Sequence, residues 1–225
     1  MCGRYTLTTP PQLVRGLFHL SEVPRLGPRF NIAPTQETPV IRRLSGERRL
    51  DLLRWGLVPP WAEKPSNGMI NARAETAATK PSFRSSFRRR RCLVPADGFY
   101  EWRKAVGDRK QPFYFQLPDG QPFAFAGLWE RWERGVPAFE SFTILTTEAN
   151  QIVGRVHPRM PVILRPGAHS AWLDPDLRDA DLVTGLLEGG PMGELICTPV
   201  STWVNNPAND SPRCIVTLAP LEEIA

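Results

Sequence analysis

The chain has 225 residues, 41% of them hydrophobic, with 7 Trp and 11 Phe; that is ample for a sizeable core and excludes wholesale disorder. The balance of 28 basic against 23 acidic residues leaves a net charge of +5, and no stretch reaches a membrane-spanning length or resembles a secretory signal. The 24 prolines favour short elements and fixed turns, while Cys2, Cys92, Cys197 and Cys214 lack CxxC spacing and, with three scattered histidines, offer no zinc signature; a reduced, cytoplasmic protein without metal or cofactor is expected.

In chain order, CGRYTLT predicts a first strand. TPPQLVRGLF predicts a short helix, with Thr9 as cap, Pro10 or Pro11 in its first turn, and Leu13, Val14 and Leu17 as its buried stripe. RFNIAPTQETPVIRRL reads as an irregular entry into a strand, and Pro34 and Pro39 argue against central positions. LDLLRWGLVPPW starts as a strand and stops at proline. NARAETAATKPSF suggests a helix ending before Pro81. SFRSSF sets Phe83 and Phe87 on one helical face, with arginines outward. RCLVPADGFYEWRK and KQPFYFQLPDGQPFAFAGLWERW predict antiparallel strands with tight turns, the PDG at 118–120 marking a hairpin. FESFTILTTEA predicts a strand running into a helix cap at Thr147. MPVIL reads as a strand, HSAWL and DPDLRDADLVTGLLEGG as helices, and CTPVSTWV and CIVTLAPL as closing strands. No repeat or flexible linker divides the chain. The pattern predicts one α+β domain around a mostly antiparallel sheet.

FRSSFRRRR (83–91) carries five arginines and no acid. Arginine forks suit a polyanion, although a solvated basic face has the same composition. Cys2 follows the initiator methionine directly. Once Met1 is trimmed, an amine with a reference pKa of about 8 and a thiol of about 8.5 sit on adjacent carbons. The thiol could attack an amide, or the amine could condense with an aldehyde and the thiol close a five-membered thiazolidine. Equally, Cys2 could be a small buried hydrophobe. Glu101 lies between Tyr100 and Trp102, where desolvation would raise its pKa, unless strand alternation sends it to solvent. His157 can shuttle a proton near neutrality or simply be a bonded histidine. Asn71 follows the apolar pair Met69 and Ile70. Trp55 and Trp61 could stack bases; Arg4, Arg73 and Arg159 could hold phosphates or pair with acids. There is no P-loop, GxGxxG, HExxH or GxSxG.

Taken together, MCGRY, RFNIAP (29–34), WGLVPPW (55–61), INARAET (70–76), CLVPADGFYEW (92–102), KQPFYF (110–115) and VHPRMPVIL (156–164) resemble the SRAP-domain family of abasic-site processing proteins. The likeness runs over roughly 2–218, leaving 219–225 as a tail, and implies a barrel-like antiparallel core with short flanking helices. It further implies that Cys2, freed of Met1, forms a thiazolidine with the ring-opened sugar of an abasic site. Asn71 would hold the cysteine and the sugar, Glu101 would move protons, and His157 would assist ring opening and stabilise the imine. Arg4, Asn31, Trp61, Arg73 and Arg159 would line the DNA path. The expected partner is single-stranded DNA bearing abasic sites, often beside a duplex junction, with a monomeric protein at a bacterial nucleoid. The family's lyase and autoproteolytic peptidase labels would fit the imine and the exposure of Cys2. The loop TWVNNPANDSPRC (202–214) departs from the family's asparagine spacing. Competing readings are an N-terminal-nucleophile amidohydrolase of the glutaminase kind, a noncatalytic nucleic-acid-binding module, and a thiol peptidase.

Overall fold

The computed structural model describes residues 2–65, 68–104, 110–188, 190 and 194–218. In chain order the elements are β1 (Tyr5–Leu7), α1 (Pro11–Phe18), β2 (Arg29–Ile32), β3 (Glu37–Leu44), β4 (Glu47–Trp55), β5 (Asn71–Arg73), α2 (Ala74–Ala77), α3 (Arg84–Arg89), β6 (Arg91–Ala96), β7 (Gly98–Lys104) and β8 (Lys110–Gln116). They continue with β9 (Phe123–Trp132), β10 (Phe139–Glu148), α4 (Gln151–Gly154), β11 (Arg159–Pro161), β12 (Ile163–Leu164), α5 (His169–Leu173), α6 (Ala180–Gly185) and β13 (Ile196–Pro199). Short 3-10 turns at Pro166–Ala168, Thr202–Asn205 and Pro212–Ile215 complete the set.

The strands form two sheets. One runs β13-β8-β7-β1-β2. In the other, β10, β4, β3, β6 and β9 pair in succession, and β9 pairs back onto β10. That last pairing closes a barrel and removes its free edges. Among the described residues, β10–β4 and β10–β5 run parallel and the other ladders are antiparallel. The barrel is filled by Val40, Trp55, Val94, Phe125, Phe142 and Ile144, which share one face of its wall and are all fully buried. Burial of each such side chain stabilises by about 1.5–3 kcal/mol. Tyr5 joins the sheets: its ring meets Trp55 and Phe125 edge-on at 5.2 and 5.8 Å, and its hydroxyl bonds Thr38 at 2.7 Å.

The α+β, mostly antiparallel, barrel-like architecture agrees with the expected class, but several local expectations change. Thr9 does not cap α1; its N–H and hydroxyl both donate to Asp97 instead. The buried stripe of α1 is Val14 and Phe18, while Leu13 is exposed. Pro39 does lie inside a strand, but β3 meets β6 only at Ile41↔Leu93, so little ladder is lost there. Segment 71–80 splits into a strand and a single helical turn, because β5 is captured by β10. The PDG turn does not join paired strands: β8 belongs to one sheet and β9 to the other. Asn150, not Thr147, caps α4, accepting from Ile152 and Val153 N–H. The long helix expected over 174–190 is only α6, begun by the Asp179 cap. The segments after β13 form 3-10 turns and one isolated bridge, Val200↔Thr217; residues 219–225, including the expected tail, lie outside the described residues.

The arginine run also divides. Arg84, Arg88 and Arg89 of α3 are exposed, as expected of an outward face, above buried Phe83 and Phe87. Arg90 instead pairs with buried Glu130 at 2.6 Å. Arg91 is buried and donates to the carbonyls of Trp172 (2.6 Å), Phe87 (2.7 Å), Arg88 (2.9 Å), Leu177 (2.9 Å) and Asp174. Burial pulls its pKa down to about 10, so it stays cationic at neutral pH and ties α3 to the α5 region. Arg91→Leu strands those carbonyls without donors. It is expected to cost at least about 3 kcal/mol, read as a lowered urea midpoint; an unchanged midpoint would return Arg91 to the polyanion-binding surface.

Candidate active site

Four separate segments bring Cys2, Asn71, Glu101 and His157 to one place. Cys2 enters just before β1, which pairs with β7 at Tyr5↔Phe99 and Thr6↔Gly98. One step further, Tyr100 N–H donates to Arg4 O at 3.0 Å, which carries Cys2 and Gly3 alongside the Glu101 end of β7. Glu101 shares a strand face with Phe99, whose ring stacks on Phe115 and meets Phe125. Both faces of β7 are covered here, so Glu101 is 2% exposed and not on a solvent face.

Asn71 begins β5, held in register with Ile144 of β10. The preceding carbonyl, Ile70 O, accepts from Trp55 Nε1 (2.9 Å) and Ile144 N (3.1 Å). The approach depends on Gly68, at φ 76°, where a Cβ would lie 2.1 Å from Gly56 O; only glycine permits both the backbone angle and the close pass. Asn71 Nδ2 then donates to Cys2 O at 2.8 Å. This bond fixes the main chain of Cys2, and with it the carbon bearing both thiol and amine. Asn71 Oδ1 is buried and accepts nothing among the described residues, leaving an acceptor for an incoming hydroxyl. Met1 lies outside the described residues.

His157 follows α4, its N–H bonded to Val153 O at 2.9 Å. Its Nδ1 stands 3.1 Å from Arg159 N, 3.0 Å from Arg159 O and 3.9 Å from Glu101 Oε1. Without a hydrogen, Nδ1 accepts from the Arg159 N–H; with one, in the other neutral tautomer or in the cation, it donates toward the carbonyl or the carboxylate. Glu101 is pushed above the usual carboxylate range by burial, a shift that His157 partly opposes. The Cys2 thiol is fully buried, and burial, reinforced by the Glu101 charge, raises its pKa strongly. At rest it is a protonated thiol, in weak contact with Arg4 O at 3.9 Å. Beside these groups opens a cleft of about 450 Å³ lined by Gly3, Arg4, Glu101, Trp102, Lys110, His157 and Asn205.

A family model described as "SOS response associated peptidase (SRAP)" matches residues 1–207. The chain belongs to the SRAP family. This SRAP chain is 40% identical over 222 residues to the abasic site processing protein YoqW of Bacillus subtilis, covering 96% of the chain and 99% of that protein. It is 35% identical over 189 residues to the abasic site processing protein YedK of Escherichia coli, covering 83% of each. A crystal structure of a Bacteroides thetaiotaomicron protein superposes with a TM-score of 0.83 at 25% identity, over 97% of the SRAP chain and all of that one.

The expected DNA-path residues of the SRAP chain fare differently. Arg4 lines the cleft, its Nη1 donating to Val204 O (2.8 Å) and Asn31 Oδ1 (3.1 Å). Trp61 is 56% exposed, on a loop fixed by Trp132 Nε1 donating to Ala62 O and Arg134 Nε donating to Pro60 O. Arg73 is exposed. Arg159 forks onto Glu75 at 2.7 and 2.9 Å and reaches Thr146 O; the pair holds Glu75 below the usual carboxylate range. Asn31 offers a strand no surface. It is fully buried, and its Nδ2 donates to Val204, Asn206 and Asn209 carbonyls. Its amide is committed to that loop, under the cleft wall. Trp55, likewise, is buried in the barrel and cannot stack a base. The sequence reading missed Gly3, Trp102, Lys110 and Asn205. Trp102 and Lys110 adjoin motifs already singled out; Asn205 is 103 positions from Trp102, to which its Oδ1 bonds at 2.7 Å, so no spacing announces it.

Proposed function

We propose that this protein captures abasic sites in single-stranded DNA as a covalent thiazolidine, through Cys2 exposed by loss of Met1. What carries the reading is the convergence of an amine-and-thiol residue with a buried carboxyl, a histidine and an anchoring asparagine beside an open, cationic-rimmed cleft. The names of the relatives YoqW and YedK point to the same lesion. The ring-opened abasic sugar supplies an aldehyde, and its flanking phosphates suit Arg4 and Lys110.

The Cys2 amine adds to the aldehyde carbon and gives a carbinolamine. Glu101 or His157 protonates its hydroxyl, water leaves, and an iminium forms. Sulfur then bonds to the same carbon, while the thiol proton passes to Glu101. One water is released overall. The electrostatics order these steps. The resting thiol is held neutral by burial and by the Glu101 charge, so it does not lead. An iminium places a positive charge beside it, lowers the cost of thiolate, and lets sulfur close the ring. An amidohydrolase or thiol peptidase needs the sulfur ionised first, against both effects.

Intact-mass spectrometry tests the proposal. The purified protein is expected to lack Met1. After incubation with an abasic oligonucleotide it should gain the oligonucleotide mass minus one water. A retained Met1 together with a normal covalent yield would overturn the mechanism, and so would reversible, salt-sensitive binding with no mass gain.

A further inference from the structure

We propose that Trp203, backed by Arg213, is a stacking subsite for the nucleobase next to the lesion; the inference rests on the function proposed above. Trp203 belongs to the 3-10 turn Thr202–Asn205, which Ser201 caps by accepting from the Trp203 N–H. Val204 and Cys214 of this region are fully buried and anchor it. Trp203 adds little to that anchoring: 38% of its surface is open even with the Arg213 guanidinium 4.2 Å from its ring centroid.

An exposed indole on a loose loop would signify little. This one sits on a loop held from many sides. Asn31 donates to Val204, Asn206 and Asn209 carbonyls, and Asn209 Nδ2 donates to Trp203 O at 2.7 Å. Asp210 accepts from Phe30 and Asn31 N–H and from Arg29. The same turn reaches the cleft: Asn205 lines it, and Arg4, another lining residue, bonds the carbonyl of Val204. Trp203 is therefore displayed at a fixed distance from the reacting centre, so that no ordering cost offsets a contact made there.

The chemistry around it selects the occupant. One indole face carries a guanidinium, and the cleft rim adds Arg4 and Lys110. Among the described residues, Glu101, at the reacting centre, is the one acidic residue lining the cleft. A flat aromatic surface among cations fits a base with its phosphates, since stacking tolerates any base and arginine adds to it. A strand with a missing base has lost one stacking partner, and a platform beside the cleft would grip its neighbour while the bare sugar enters.

The test uses the full protein and oligonucleotides with one abasic site. Each neighbouring nucleotide is replaced in turn by a tetrahydrofuran spacer, which has no aldehyde. At subsaturating DNA, removing the base on one side should slow adduct formation about fivefold or more. Trp203→Ala should be slow with every oligonucleotide and insensitive to that replacement, and Trp203→Phe should recover most of the rate and the sensitivity. A wild-type protein that forms adduct at equal rates with every flank overturns this subsite and leaves the proposed function standing. So does a Trp203→Ala protein as flank-sensitive as the wild type. Absence of adduct with every oligonucleotide overturns the function itself.

Discussion

A Cys2→Ala protein is expected to form no heat-stable adduct with abasic single-stranded DNA, yet to yield one when borohydride is present. The substitution deletes only the sulfur. Alanine is also small, so Met1 is still trimmed and the amine is still delivered. The side chain of Cys2 is fully buried, and alanine fits within its volume. The main-chain bond from Asn71 to residue 2 does not involve the deleted atom. The amine can therefore still condense with the sugar aldehyde. What is lost is ring closure, so the imine hydrolyses on heating unless it is reduced. Denaturing gels with and without borohydride separate the two steps. A heat-stable adduct from Cys2→Ala without reductant would remove the thiazolidine, and no adduct even with borohydride would move the amine elsewhere.

The motif-bearing segments were legible because their chemistry is local. Cys2 sits beside the initiator methionine, and Glu101 is framed by aromatics. What no window could display is how the four meet. Asn71 reaches Cys2 only because β5 runs parallel to β10, a pairing between segments 73 residues apart at Asn71↔Ile144. The strand alternation around Glu101 left open which way it faces; the covering of both faces of β7 decides that it is buried.

Charge misled for a related reason. FRSSFRRRR looks uniform as text, but Arg90 and Arg91 leave α3 where β6 begins, and the turn drives them inward onto Glu130 and a ring of carbonyls. Asn31 shows the converse. A polar residue within RFNIAP reads as a ligand for DNA, yet it satisfies three carbonyls of a loop more than 170 positions away. Hydrogen-bond partners that distant leave no trace in spacing. The PDG turn failed as a hairpin because a turn signal reports a chain reversal, not which sheet the next strand joins.

Glu101→Gln is expected to slow adduct formation by about 10²–10⁴-fold while making the fold more stable at neutral pH. The rate falls because an amide can neither protonate the departing hydroxyl nor accept the thiol proton. The stability gain follows from linkage. Burial raises the folded-state pKa of Glu101 above its unfolded value, so the folded protein binds this proton more tightly. Below the unfolded carboxylate pKa both states hold the proton and the residue costs nothing. As pH rises from there toward the raised folded value, the unfolded state ionises first and folding is progressively disfavoured. Glutamine is neutral throughout and escapes that penalty. The variant and wild type should therefore have similar urea midpoints at low pH and diverge as pH increases, with the variant higher. The lost charge also removes one cause of the raised Cys2 pKa, so a slower reaction despite an easier thiolate would locate the defect in proton transfer. An unchanged rate across pH would exclude Glu101 from the chemistry, and a midpoint difference independent of pH would show that the carboxyl is not strained by burial.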